Sequence, residues 1–177
     1  MILFRHADPR FPFLWETDAQ PSARWHGEGE GPVQYLSDTP DGAWAEFLRH
    51  EEIKEPEDLA TVRRALWAIE VDDSEPASQP QLPRRVLTGG PQSHARCRRE
   101  AARLRAEGAT RLAAMSAALM PGEARGWRVE RTVLPGPDRE GRTIALFGAR
   151  PDLVGWEVVG RGHPEPHLLS KVRHFDS

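Results

Sequence analysis

Short apolar runs separated by turn-forming residues recur along the chain and predict a set of strands. In the clearest of these runs, Val33 and Tyr35 face one side of a strand while Gln34 and Leu36 face the other. The predicted strands cover residues 2–5, 33–36, 66–71, 111–114, 128–134, 143–147 and 155–159. The 16 prolines and 15 glycines predict many turns and long connections between these strands.

Directly after residues 33–36, the apolar spacing changes to steps of three and four, which predicts an amphipathic helix. Its buried stripe consists of Ala43, Trp44, Phe47 and Leu48. Asp38 or Thr39 can cap this helix, and Pro40 suits its first turn. Glu46 lies just beside the apolar stripe, so we expect its carboxylate at the margin between core and solvent.

Three further segments predict helices, at residues 56–65, 91–107 and 167–175. Gly108 follows the second of them and suits the residue that ends a helix. Residues 72–83 are polar and rich in proline, so we expect a flexible loop there. Strands and helices mix without a regular βαβ alternation, which predicts the α+β class.

Size and composition limit the number of domains and the kind of partner. A length of 177 residues predicts one domain over residues 1–177. The formal net charge of −3 gives no reason to expect direct binding to nucleic acid. Cys97, the single cysteine, rules out an internal disulfide framework and a zinc site built from cysteines. The first residues lack the pattern of a signal peptide, and no apolar run approaches a membrane span, so we expect a cytoplasmic protein.

Several motifs that would indicate a particular chemistry are absent from the sequence. There is no phosphate-binding P-loop, no GxGxxG turn, no GxSxG elbow and no HExxH pair. His163 and His167 are four residues apart, but Pro164 and Pro166 prevent them from sharing a helical face. We therefore expect neither a bound metal nor a resident cofactor.

Four segments, taken in order, resemble the RES domain family. They are residues 3–6, residues 23–26 with the glycine-rich turn that follows, residues 33–37 with 43–46, and residues 108–119. Arg24, Tyr35 and Glu46 are evenly spaced within them, and Ser116 follows a predicted strand as the family serine does. Each segment alone is a weak signal, but their common order and spacing make the resemblance specific.

The resemblance implies a fold like that of ADP-ribosyltransferases, with a mixed, split β-sheet core and flanking helices. It also implies cleavage of NAD by the toxin of a bacterial toxin–antitoxin pair, with NAD as substrate and no cofactor. The implied partners are NAD and a small helix-turn-helix antitoxin protein. The residues implied to bind NAD are Arg5, His6, Arg24, Tyr35 and Ser116, and those implied to act in catalysis are Glu46, Arg24 and Ser116.

Both arginines also have an ordinary structural explanation. Arg24 precedes Trp25 and a flexible turn, where a surface arginine stacks on an aromatic ring. In the interpretation that the family suggests, its planar guanidinium instead holds a pyrophosphate. Arg5 lies in an apolar strand and needs a partner, either the carboxylate of Glu46 or a substrate phosphate.

The remaining site residues also have two explanations each. Tyr35 is either a core tyrosine or a ring that stacks on the nicotinamide. Glu46 either pairs with Arg49 or His50 on an exposed flank or stabilises the positive charge of the breaking glycosidic bond. Ser116 is either a cap at the end of a strand or a hydroxyl that orients the ribose.

Three departures from the family pattern leave other functions open. His6 stands where toxin members often have an aromatic residue, His26 replaces the usual asparagine, and Ala114 and Met115 precede the serine in place of a Val/Tyr-Pro pair. One alternative is a RES-like binding module without catalysis. Another is an ADP-ribosyltransferase that modifies a macromolecule, since the acceptor of the ribose remains open between water, phosphate and a macromolecule.

Overall fold

A computed structural model of the chain describes residues 1–14, 16–17, 19–74 and 76–175. The strands in these ranges are β1 (Ile2–Ala7), β2 (Val33–Ser37), β3 (Arg64–Glu70), β4 (Arg111–Met115), β5 (Trp127–Val129), β6 (Val133–Pro135), β7 (Arg142–Phe147) and β8 (Val154–Gly162). The α-helices are α1 (Pro40–His50), α2 (Pro56–Leu59), α3 (Arg84–Leu87) and α4 (His94–Ala106), with 3₁₀ turns at Pro91–Ser93 and Pro166–Lys171. The predicted α+β class is confirmed.

Six strands form one sheet in the order β4-β7-β2-β1-β3-β8, and β5 and β6 form a separate hairpin. Every pairing in the large sheet is antiparallel, so the sheet is more uniform than the expected mixed arrangement. Its two halves meet where β1 faces β2, and that pairing holds only at Phe4 and Ser37. We call the opening between these two strands the split.

Each half of the sheet carries its own helix. Helix α1 packs its apolar stripe against Phe4 of β1 and Leu66 of β3. Helix α4 packs Cys97 and Leu104 against β2, β4 and β7. A third apolar cluster contains Leu3 and Leu36, the strand neighbours of Phe4 and Tyr35, and it covers the opposite face of the sheet. The split therefore lies between two separately packed cores.

Local signals determine how α1 begins and where it points. The Thr39 hydroxyl accepts a hydrogen bond from the Gly42 N–H at 2.9 Å, and Pro40 occupies the first turn. Trp44, Phe47 and Leu48 are buried, as the spacing predicts. This burial turns Glu46 toward the split.

Other predicted elements differ from the observed ones. The helix predicted at 56–65 ends at Leu59, because the chain must be extended from Arg64 to pair as β3. The strand predicted at 128–134 is the β5–β6 hairpin, and α3 was not predicted. The terminal helix is a 3₁₀ turn that ends at Lys171.

Two further features concern the loop and the helix lengths. The loop at 72–83 is attached to β4 through Ser78, whose N–H donates to the Arg111 carbonyl at 3.1 Å. None of the helices in the described part of the chain is long and apolar enough to cross a membrane.

Candidate active site

A cavity of about 790 Å³ opens at the split. Its walls come from β1, β2, α1, the segment before β2 and the start of α4. Five residues named from the sequence line it: Arg5, His6, Arg24, Tyr35 and Glu46. Its volume lies within the range of small-molecule and cofactor sites.

Arg24 reaches the cavity from the segment that precedes β2, and the stretch from α3 to the start of α4 fixes its guanidinium. Nη2 donates to the Gly89 carbonyl at 2.6 Å, and Nη1 donates to the Ser93 hydroxyl at 3.2 Å and to the Val86 carbonyl at 3.3 Å. These contacts hold the planar cation in one orientation at the cavity wall.

Arg49, one turn after Glu46 on α1, lies beside Arg24. Its Nη2 donates to the same Gly89 carbonyl at 3.0 Å and to the Thr88 carbonyl at 3.1 Å, while its Nη1 donates to the Ala117 carbonyl. Burial lowers the pKa of Arg49 to about 10, which still leaves it charged at neutral pH. We call Arg24 and Arg49 the arginine pair.

The arginine pair brings two positive charges to one carbonyl oxygen. Among the described residues, neither guanidinium lies within ion-pairing distance of a carboxylate. Like charges so close repel each other, and the carboxylate of Glu46 offsets only part of this repulsion, since burial lowers the pKa of Arg49, Glu46 raises it and Arg24 lowers it. The geometry therefore favours a negatively charged ligand at this wall of the cavity.

Tyr35 is fixed through its hydroxyl, which accepts a hydrogen bond from the Trp25 N–H at 2.9 Å. His26 Nε2 lies 2.9 Å from the Pro21 carbonyl, which only accepts, so Nε2 carries the proton. Burial lowers the pKa of His26, so its Nδ1 is an acceptor and the Tyr35 hydroxyl donates to it at 2.9 Å. His26 thus fixes the tyrosine whose ring lines the cavity.

The carboxylate of Glu46 accepts a hydrogen bond from the Thr143 hydroxyl of β7, at 3.1 Å from Oε1. Thr143 also lines the cavity. This contact ties the acidic group of α1 to the sheet across the split. It orients the carboxylate without neutralising its charge.

Arg5 and His6 are neighbours on β1 with different partners. Arg5 Nη1 donates to the Gln34 side chain on β2, and burial lowers the pKa of this arginine. His6 Nδ1 accepts from Arg64 Nη2 at 3.2 Å. Burial, followed by the charges of Arg64 and Arg5, lowers the pKa of His6 to about 3. His6 is therefore a neutral ring in a cationic wall.

Ser116 is the one predicted site residue whose side chain does not line the cavity. It is buried at 3 % exposure, and its hydroxyl accepts from the N–H groups of Ala118 at 3.2 Å and Leu119 at 3.1 Å. Its neighbours Met115 and Ala117 do line the cavity. The structure thus places Ser116 as a cap after β4, and its contact with a ribose stays a prediction.

Most residues of the cavity wall were not singled out as site residues from the sequence, among them Arg49, His94 and Phe175. Arg49 entered the sequence analysis only as one alternative partner of Glu46 on an exposed flank, because periodicity does not show that residues 88–89 and 117 would cover it. His94 lines the cavity at the start of α4, and burial and then Arg24 lower its pKa to about 4. Phe175 lies far from the motifs in sequence, and no local pattern marks it.

The charge of the cavity is positive. Among the described residues, four arginines and two carboxylates line it: Arg5, Arg24, Arg49, Arg64, Asp8 and Glu46. Asp8 also pairs with Arg10 at 2.8 Å, which holds the pKa of its carboxyl well below the usual range. In the described part of the chain, no group of three or more histidine, cysteine or acidic side chains is placed to hold a metal ion.

The fold and the cavity define an α+β domain with a cationic cavity at a split sheet. The chain belongs to the RES domain family, whose model matches residues 2–168. It is also similar to a protein named Toxin Res from Pseudomonas putida, with 48 % identity over 62 residues. That match covers 35 % of this chain and 39 % of the relative, so it spans well under half of either protein.

Proposed function

We propose that this chain is an NAD-consuming enzyme that breaks the bond between nicotinamide and ribose, and that it is the toxin of a toxin–antitoxin pair. One observation carries the enzymatic proposal. Among the described residues, the cavity combines an arginine pair that has no carboxylate within ion-pairing distance with a carboxylate, Glu46, that Thr143 orients. A dinucleotide needs both, because its pyrophosphate is anionic and its ribose becomes cationic as the bond breaks.

In this mechanism the C1′–N1 bond breaks and its electron pair neutralises the nicotinamide ring, which leaves. The ribose C1′ becomes positively charged, and Glu46 stabilises that charge while Thr143 orients the carboxylate. An acceptor oxygen then bonds to C1′ and its proton is released to solvent. Water as acceptor yields ADP-ribose, phosphate yields ADP-ribose 1″-phosphate, and a macromolecule becomes ADP-ribosylated.

The binding groups have distinct roles in this proposal. Arg24, with Arg49 beside it, attracts the pyrophosphate, and Arg5 adds positive charge from β1. The Tyr35 ring packs against the nicotinamide, held in place by its hydroxyl. NAD is the substrate in this scheme, so no cofactor takes part. The toxin role rests on the family and on the name of the Pseudomonas putida relative, and its partner would be a helix-turn-helix antitoxin.

The test is release of nicotinamide from NAD by the purified protein, measured in phosphate-containing and phosphate-free buffers. Glu46→Gln should lower kcat with little change in KM, because its charge acts mainly in the transition state. Arg24→Ala should mainly raise KM, by about 10- to 150-fold, because pyrophosphate is charged in both states. Glu51→Gln, at an exposed site one turn later, is the matched control and should change neither constant.

Labelled NAD and candidate macromolecules distinguish ADP-ribosyl transfer from hydrolysis in the same assay. For the toxin role, expression in bacteria should arrest growth and deplete NAD, and Glu46→Gln should remove both effects. If the protein binds NAD but releases no nicotinamide with any acceptor, the enzymatic proposal is wrong. A binding module without catalysis would then explain the cavity.

A further inference from the structure

Backbone hydrogen bonds attach the segment at 172–175 to residues 118–120, which follow Ser116. Val172 forms an antiparallel bridge with Leu119. The Arg173 N–H donates to the Ala118 carbonyl at 2.6 Å, and the Met120 N–H donates to the Lys171 carbonyl at 2.8 Å. These backbone bonds place the segment against the turn that follows β4.

Side chains continue the attachment into the cavity wall. Arg173 Nη1 donates to the Ala117 carbonyl at 3.0 Å, and Arg49 donates to the same carbonyl. The Phe175 ring then lies over the Arg49 guanidinium, with 4.7 Å between its centroid and Arg49 Cζ, and lines the cavity. The segment thus brings an aromatic ring beside the arginine pair.

Phe175 differs from the two large aromatic side chains of α1. Trp44 and Phe47 are buried in the core on α1. Phe175 is only partly buried and belongs to none of the apolar clusters of the described residues. An aromatic ring that supports no core, but stands at a cationic cavity, is well placed to stack on a planar ligand.

We propose that Phe175 is a specificity-determining residue that stacks against a heteroaromatic base of the dinucleotide. This inference rests on the proposed function, since the arginine pair must hold the pyrophosphate for a base to reach the ring. Arg49 supports one side of the aromatic ring through a cation–π contact. Residue 175 lies beyond residues 2–168, the stretch that the RES model matches.

The test is calorimetric titration of Phe175→Ala, with NAD measured in the Glu46→Gln background so that the ligand stays intact. We expect NAD to bind about 10-fold more weakly, which corresponds to ~1.4 kcal/mol. ADP-ribose and nicotinamide mononucleotide identify the base, because only the ligand that contains the stacked base should lose affinity. Phe175→Tyr should retain binding, whereas Phe175→Leu should behave like the alanine variant.

Controls separate stacking from folding and from the proposed function itself. Trp127→Ala removes an aromatic ring that is 65 % exposed on the distant hairpin, and it should bind NAD as the wild type does. Melting temperatures of all variants show whether the fold survives. Unchanged affinity of Phe175→Ala for every ligand would overturn the stacking role alone. Tighter binding of the ligands by Phe175→Ala would also overturn it and would show that the ring obstructs the cavity. A wild-type protein that binds none of the three ligands would overturn the stacking role and the proposed function together.

Discussion

Substitution of Arg49 separates its contribution to the stability of the fold from its contribution to NAD binding. Its guanidinium donates to three backbone carbonyls, those of Thr88, Gly89 and Ala117. Neighbouring arginines still donate to two of these carbonyls in Arg49→Met. In the described hydrogen-bond network, the Thr88 carbonyl alone loses its donor, so the structural damage should be limited.

The loss of stability and the loss of NAD binding differ in origin, but their free energies are of similar size. A fully buried carbonyl without a donor costs about 1–3 kcal/mol; the Thr88 carbonyl is only partly buried, and relief of the repulsion within the arginine pair offsets part of the loss. We therefore expect Arg49→Met to reduce the free energy of unfolding by no more than about 3 kcal/mol. For the ligand, charges about 5 Å apart interact by about 3 kcal/mol at an effective dielectric constant of about 20. Loss of this charge should raise the Kd for NAD by about 10- to 150-fold.

Arg49→Lys distinguishes the effects, because it retains the charge but not the planar donor geometry. We expect it to lose as much stability as Arg49→Met while binding NAD within about 5-fold of the wild type. Urea unfolding measures the stability, and calorimetry in the Glu46→Gln background measures the affinity for NAD. Arg63→Met, at an exposed arginine, should change neither. If the lysine variant binds NAD as poorly as the methionine variant, the planar geometry of Arg49 and not its charge supports binding. If both variants bind NAD as the wild type does, the residue is purely structural.

Two further predictions concern pH and packing. His6 has a pKa of about 3 when folded and about 6.5 when unfolded, so the unfolded state takes up more protons between these values and stability should fall as pH drops through that window. Urea unfolding at several pH values should show a shallower slope for His6→Asn, whereas His167→Asn, at an exposed site, should keep the wild-type slope. Phe47 is 7 % exposed, so Phe47→Ala should cost roughly 3–5 kcal/mol of unfolding free energy, while Glu46→Gln should leave the melting temperature nearly unchanged. An equal loss in both variants would show that Glu46 is a structural residue.

Elements whose signals are local could be predicted well from the sequence. Helix α1 begins where Thr39 and Pro40 predict, and its stripe is buried as the spacing requires. Strand β2 begins at the predicted residue and ends one residue later than predicted. In both cases the cap, the proline and the apolar period lie within a few residues of one another, so a short segment contains all the information.

Features that depend on distant segments could not be predicted in this way. The carbonyl groups that hold Arg49 lie 39 to 68 residues further along the chain, and no periodicity reports them. The β5–β6 hairpin was predicted as one strand because its turn, at residues 130–132, contains neither glycine nor proline. Likewise, α2 is shorter than its pattern suggests, because pairing of β3 in the sheet overrides helix propensity.

The split explains why polar side chains of distant motifs meet at one place. Since β1 and β2 pair at a single position, side chains or other groups must form hydrogen bonds in place of the missing backbone pairs between these strands. Arg5 of β1 donates to Gln34 of β2, so one side chain joins the two half-sheets where the ladder is missing. Arg5 therefore has a structural partner as well as a place in the cavity wall, and its substitution would disturb the shape of the cavity together with its charge. Arg24 and Glu46 are held by other elements, which makes them the cleaner residues for separating binding from catalysis.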